Sequence, residues 1–162
     1  MSQVKSWREP DHGPNDWILE VHDRLDGSVP YENFRSSLNE YTRAVLDISI
    51  REILAKQGNN ICNSPKYGRN LRKGLYEFKV CKPLFTICHE VGIQVPPGLS
   101  PGSSVLLRIF FTVEGAKVIL LLGGYDKQKD DSTNRQNDEI RFARKLLAEH
   151  RERVKRKAKW RP

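Results

Sequence analysis

The stretch Leu106–Lys127, LLRIFFTVEGAKVILLLGGYDK, decides the fold. Two apolar runs, VLLRIFFTV (105–113) and KVILLL (117–122), meet across EGA (114–116), where Gly115 can supply a positive φ. That pattern predicts a β-hairpin. Runs this apolar belong to central strands that are covered on both faces. Strand alternation places Val105, Leu107, Ile109, Phe111 and Val113 on one face, with Leu106, Arg108, Phe110 and Thr112 on the other. One cation, Arg108, therefore interrupts a strand suited to burial, and a second, Lys127, follows the next strand.

A buried guanidinium is costly without a partner, so Arg108 either pairs with a carboxylate or awaits an anionic ligand. The segment GLYEFKV (74–80) reads as another strand, with Tyr76, Phe78 and Val80 on one side and Leu75, Glu77 and Lys79 on the other. Beside 105–113, it would open Glu77 and Lys79 onto the face of Arg108, making Glu77 the candidate partner. GRNLRKG (68–74) brings Arg69, Arg72 and Lys73 to the start of that strand, and GGYDKQK (123–129) brings Tyr125, Lys127 and Lys129 out of the sheet. Cations interleaved with Tyr76 and Tyr125 suit a phosphate backbone and stacked bases. Strand ends are also where solvated charges ordinarily sit.

Outside these strands the chain, 162 residues long, reads as one domain. Residues 1–13 are expected to be disordered. A short helix from Asn15 would gather Trp17, Val21 and Leu25; a longer one carries Phe34, Leu38, Tyr41, Val45 and Ile48 on one face through Leu54, with Pro30 in its first turn and Gly58 as its stop. Residues 82–104 form a long inserted loop with at most a short strand in the middle. Thr133 with Gln136 matches a capping box that opens the last helix, and Ile140, Ala143, Leu147 and Val154 mark its buried stripe. The fold class is α+β: N-terminal helices packed on a small antiparallel sheet, with a basic C-terminal helix.

The net charge is +8. From Arg141 to Pro162 there are ten Lys/Arg against two Asp/Glu, so this surplus of eight accounts for all of it. The tail at 151–162, with Arg151, Arg153 and Lys155, attracts polyanions, or else is a solvated terminus. No apolar run approaches membrane-spanning length and no signal-peptide segment opens the chain, which predicts a cytoplasmic protein without membrane contact. Cys62, Cys81 and Cys88 are odd in number, so free thiols are expected. Cys81, Cys88 and His89 match no common zinc spacing, and adjacent Cys88 and His89 would diverge on an extended chain. Neither a phosphate-binding glycine loop nor H-E-x-x-H occurs. Neither metal nor cofactor is expected.

NLRKGLYEFKV (70–80) followed by LLRIFFTVEGAKVILLLGGYDKQKDDSTNRQNDEIRFARKLL (106–147) resembles the RelE/ParE toxin superfamily, closest to its HigB-like, phage-derived branch. The resemblance spans about Trp17 to His150. It implies a RelE-like fold, residues 14–150 as the toxin domain, and a type II toxin–antitoxin toxin that cuts mRNA on the ribosome. The cut implied is metal-independent: the RNA 2′-hydroxyl attacks the neighbouring phosphate. By the same resemblance, Arg108 would hold the scissile phosphate, Lys127 would stabilise developing charge, Lys79 stands where relatives carry arginine, and Glu77 is the candidate base. The implied partners are ribosome-bound mRNA and a helix-turn-helix antitoxin. Two alternatives stay open, a noncatalytic relative that binds RNA or a partner, and a gyrase poison of the ParE kind.

Overall fold

The computed structural model describes residues 16–99 and 102–160; the expected disorder at 1–13 lies outside them. Five strands form one mixed sheet in the order β1-β5-β4-β3-β2. The strands are β1 (Ile18–Val21), β2 (Gly68–Arg72), β3 (Leu75–Val80), β4 (Leu107–Glu114) and β5 (Val118–Asp126). Among the described residues four helices of eight residues or more accompany them: α1 (Pro30–Ser37), α2 (Glu40–Ser49), α3 (Leu84–Val91) and α4 (Thr133–Lys159). Among the described residues no helix is long and apolar enough to cross a membrane.

The β4–β5 hairpin forms as expected, in register from Leu107↔Asp126 to Glu114↔Val118. Its turn uses left-handed Gly115 and Lys117 (φ 45° and 65°). The segment expected to be a short helix around Trp17 is instead β1, paired parallel to β5 from Ile18↔Val118 to Val21↔Leu121. The sheet is thus mixed, not purely antiparallel. Edge pairing satisfies the backbone of this short segment, and Leu19 and Val21 go into the core while Leu25 is 90% exposed. Strand β2, which the sequence did not mark, is a polar edge strand with no apolar alternation to betray it.

The long N-terminal helix divides in two. Leu38 turns extended after α1, and Asn39 accepts the Thr42 N–H (2.8 Å) to cap α2 afresh. Arg43 reaches back to the carbonyls of Arg35, Ser36 and Leu38, satisfying the end of α1. Beyond α2 the chain passes through a wide turn at Ile50–Leu54 and stops at Gly58 (φ 58°). A Cβ at Gly58 would stand 2.2 Å from the Trp17 ring. Within the expected 82–104 loop lies α3, which buries Leu84, Ile87 and Cys88 and ends on left-handed Gly92.

Two apolar layers result. Helices α1–α3 cover Phe78, Val80, Leu107, Ile109, Phe111, Ile119 and Leu121 on one face. Helix α4 covers Leu75, Phe110, Leu120, Leu122 and Tyr125 with Ala143, Leu146 and Leu147. Each fully buried leucine of this kind contributes about 1.5–3 kcal/mol. The cap of α4 is Ser132, whose hydroxyl accepts the Arg135 N–H at 3.1 Å, one residue before the expected Thr133. The helix runs to Lys159, so the expected basic tail is mostly its last turns, with Val154 exposed.

Polar ties fix α4 to the sheet. Arg144 donates to the Leu71 carbonyl (2.6 Å), and Arg151 to that of Lys73 (2.8 Å). Glu149 accepts a fork from Arg24 (3.2 and 2.7 Å) and lies 3.3 Å from His22 Nε2. Burial holds the His22 imidazole below its usual range, outweighing the Glu149 hydrogen bond, and the nearby Arg153 and His150 push the same way. The folded state therefore takes up this proton less readily than the unfolded chain, whose histidine titrates near ~6.5. Stability from neutral His22 is present above that pH and lost as pH falls below it. The urea midpoint should drop between pH 7.5 and pH 5.5, and should drop less in His22→Gln. An equal loss in the variant would assign the pH dependence to other groups.

Candidate functional site

Three strands set one polar row on the α4 face. Lys79 pairs across to Arg108, and Arg108 to Tyr125. One step along, Glu77 stands opposite Phe110, with Arg69 beyond it on β2. The sequence anticipated Arg108, Glu77 and Lys79 on one face, and the register puts them there. Tyr125 joins them for a reason the sequence does not display. The β4–β5 register shifts so that Phe110 meets Gly123 while Phe111 meets Leu121, leaving Leu122 as an extra residue. Such a bulge inverts the alternation beyond it, so Tyr125 rather than Gly124 shares the side of Arg108. Gly124 fills a gap that admits no side chain: a Cβ there would meet the Arg108 carbonyl and the Phe34 ring, each at 2.7 Å.

The row is buried at its centre, while Lys79 is half-buried and Arg69 exposed. Glu77 is 0% exposed, Tyr125 2% and Arg108 8%. Arg108 Nη1 donates to the Leu107 carbonyl at 3.2 Å, while its Nε has no hydrogen-bond partner. The Tyr125 hydroxyl and both Glu77 oxygens are likewise without hydrogen bonds. The expected Arg108–Glu77 pair is not what forms; the cation beside Glu77 is Arg69, with Nε 3.4 Å from Oε1. Burial pushes the Tyr125 phenol up, and the Glu77 charge adds to this against the opposing Arg108. Orphaned polar atoms at this depth cost about 1–3 kcal/mol each. So many in one place mark stored strain rather than a stabilising network.

The other anticipated residues scatter. Lys79 turns its ammonium to the Pro65 carbonyl (3.0 Å). Lys127 lies just past β5 at the same end of the sheet, its N–H on the Leu106 carbonyl (2.8 Å). Tyr76 lies on the face opposite Glu77, as alternation predicts, and so turns to the α1–α3 layer and away from the row, stacked on Phe111 with centroids 5.5 Å apart. Arg72 ends β2 and Lys73 opens the β2–β3 turn, both exposed, with Arg72, Lys73 and Gly74 left-handed at φ 76°, 57° and 83°. Arg151 is tied to that turn, and Arg153 to Asp23 through its carboxylate (3.0 Å) and carbonyl (2.7 Å). Those two act first as struts, whereas Lys155 is exposed and Lys129 lies in the loop beyond Lys127. Cys88 is buried while Cys81 and His89 are exposed, so these three do not converge.

Sequence reasoning missed Arg135 and Glu139. Arg135 sits 5.2 Å above the Tyr125 ring and donates Nε to Glu139 at 2.7 Å. A readable signal existed, since an arginine in the first turn of a helix opposes the macrodipole and needs another reason to be there. No family model, curated protein or solved structure matches this chain.

Replacing the strained carboxylate should stabilise the protein. Glu77→Leu should raise unfolding stability by about 1–3 kcal/mol in urea titrations; a loss would show that Glu77 is held for structure. Gly124→Ala should lower it by at least about 2 kcal/mol, because backbone and an aromatic ring occupy the Cβ position.

Proposed function

We propose that the protein acts on RNA phosphate as a toxin of the RelE/HigB kind, a ribosome-dependent mRNA endonuclease. The carrying observation is the buried Arg108 with its Nε unpartnered, in register with Lys79 and Tyr125 and sharing a face with the buried Glu77 carboxylate, whose oxygens accept no hydrogen bond and whose one ion-pair contact is the long one to Arg69. Structures seldom tolerate such groups unless a ligand or a reaction uses them. The resemblance of GLYEFKV, LLRIFF and GGYDK to toxin strands supports the same reading.

The chemistry follows from these side chains. Glu77 accepts the proton of the RNA 2′-hydroxyl, whose oxygen attacks the adjoining phosphorus. Arg108 holds the non-bridging oxygens as charge builds on the pentacoordinate phosphorane. The bond to the 5′-oxygen breaks as Lys127 gives that oxygen a proton, leaving a 2′,3′-cyclic phosphate, a 5′-hydroxyl and the first proton on Glu77. Entry of RNA requires the exposed Arg69 to release Glu77, and phosphate competes for that guanidinium.

The test adds the protein to a cell-free translation reaction and maps new mRNA 5′ ends by primer extension. Cuts on translating ribosomes should fall at least about 100-fold with Arg108→Ala, and Arg108→Lys should recover little. Intact mRNA with the wild type would overturn the endonuclease. A second reading, a noncatalytic relative that binds RNA or a partner, is favoured by the closure over Glu77 and by Lys79 being spent on Pro65. Ribosome or RNA binding without cleavage would establish it, and inhibited DNA supercoiling would point to a gyrase poison.

A further inference from the structure

A polar cavity of about 460 Å³ opens where α1, the end of β5 and the first turns of α4 meet. Its walls include Arg24, Asn33, Tyr125, Lys129, Arg135 and Phe142. Two guanidinium–aromatic stacks flank it, Arg24 at 5.5 Å from the Phe142 ring centre and Arg135 at 5.2 Å from that of Tyr125. Each guanidinium is only partly engaged. Glu149 takes Nε and Nη2 of Arg24, and Glu139 takes Nε of Arg135, so the remaining N–H groups stay available. The Lys129 ammonium meets no carboxylate among the described residues. The one carboxylate in the wall, Asp126, is already accepting the Gln128 N–H at 3.0 Å.

We infer that this cavity is a nucleotide site, which on the endonuclease reading takes the base and phosphate next to the scissile bond. Phe142, 38% exposed, offers a face for base stacking, and the Asn33 amide carries both a donor and an acceptor for a base edge. Lys129 and the free edge of Arg135 take the phosphate. The volume suits a small ligand. Tyr125 joins the two sites, since its ring under Arg135 belongs to the cavity wall and its residue lies opposite Arg108 in the sheet. The identification of the source as an RNA strand rests on the endonuclease reading; the cavity and its chemistry do not.

Calorimetric titration of the full-length protein tests this with four probes: AMP, UMP, inorganic phosphate and a single-stranded RNA hexamer. Nucleotides should bind, and phosphate alone should bind more weakly. Lys129→Ala and Phe142→Ala should each weaken nucleotide binding at least about fivefold, and Lys129→Ala should leave the unfolding midpoint in place. A hexamer tighter than either mononucleotide identifies an RNA strand as the source, and equal affinities identify a free nucleotide; both support the site. Phosphate as tight as the nucleotides, no binding of any probe, or unaltered affinity in both variants would overturn it. The two proposals fail separately. Nucleotide binding without mRNA cleavage removes the endonuclease and leaves the cavity, while cleavage with unaltered variants removes the cavity and leaves the endonuclease.

Discussion

Everything in this fold depends on β4 being buried on both sides. From Leu107 to Thr112 every residue is buried, so one face of the strand requires a cover of helices and the other requires α4. Helices α1–α3 supply the first cover and α4 the second. A layer of this kind hides apolar side chains whose return to water would cost about 25 cal/mol per Å². Arg108 is carried into the interior by that same demand. Its neighbours are hydrophobic enough to fix the strand in place, and the guanidinium must accept the surroundings they dictate.

The buried row then shows a conflict of scales. The packing of Phe110 and Leu122 under α4 is large and cooperative, whereas the unmet hydrogen bonds of Glu77, Arg108 and Tyr125 are local. Packing prevails, and the local cost stays in place as strain. Glu77 illustrates it best. Removal from water exceeds what one long contact with Arg69 returns, yet the carboxylate cannot leave a central strand without breaking two ladders.

Basic residues on α4 divide along a similar line. Arg144, Arg151 and Arg153 spend their donors on carbonyls and on Asp23, fastening the helix across the sheet and holding the β2–β3 connection with its three left-handed residues. Charge that looks from composition like a polyanion-binding tail is thus partly mortar. Guanidinium suits that work because its planar fork can hold two acceptors at once.

The sequence by itself determined the hairpin, both faces of β3 and β4, the last helix and the shared face of Arg108, Glu77 and Lys79, because alternation and helical spacing are local properties of the chain. Tertiary structure alone decided the rest. β1 became a strand because an edge of β5 was available to pair with it, against the helical spacing of Trp17, Val21 and Leu25. The eight residues of α3, placed between prolines, formed where a core surface needed Leu84 and Ile87. Glu77 found Arg69 because β2, an edge strand with no apolar pattern, lies beside it. Tyr125 reached Arg108 through a single extra residue in β5, and no period in the sequence records which residue a ladder will leave unpaired.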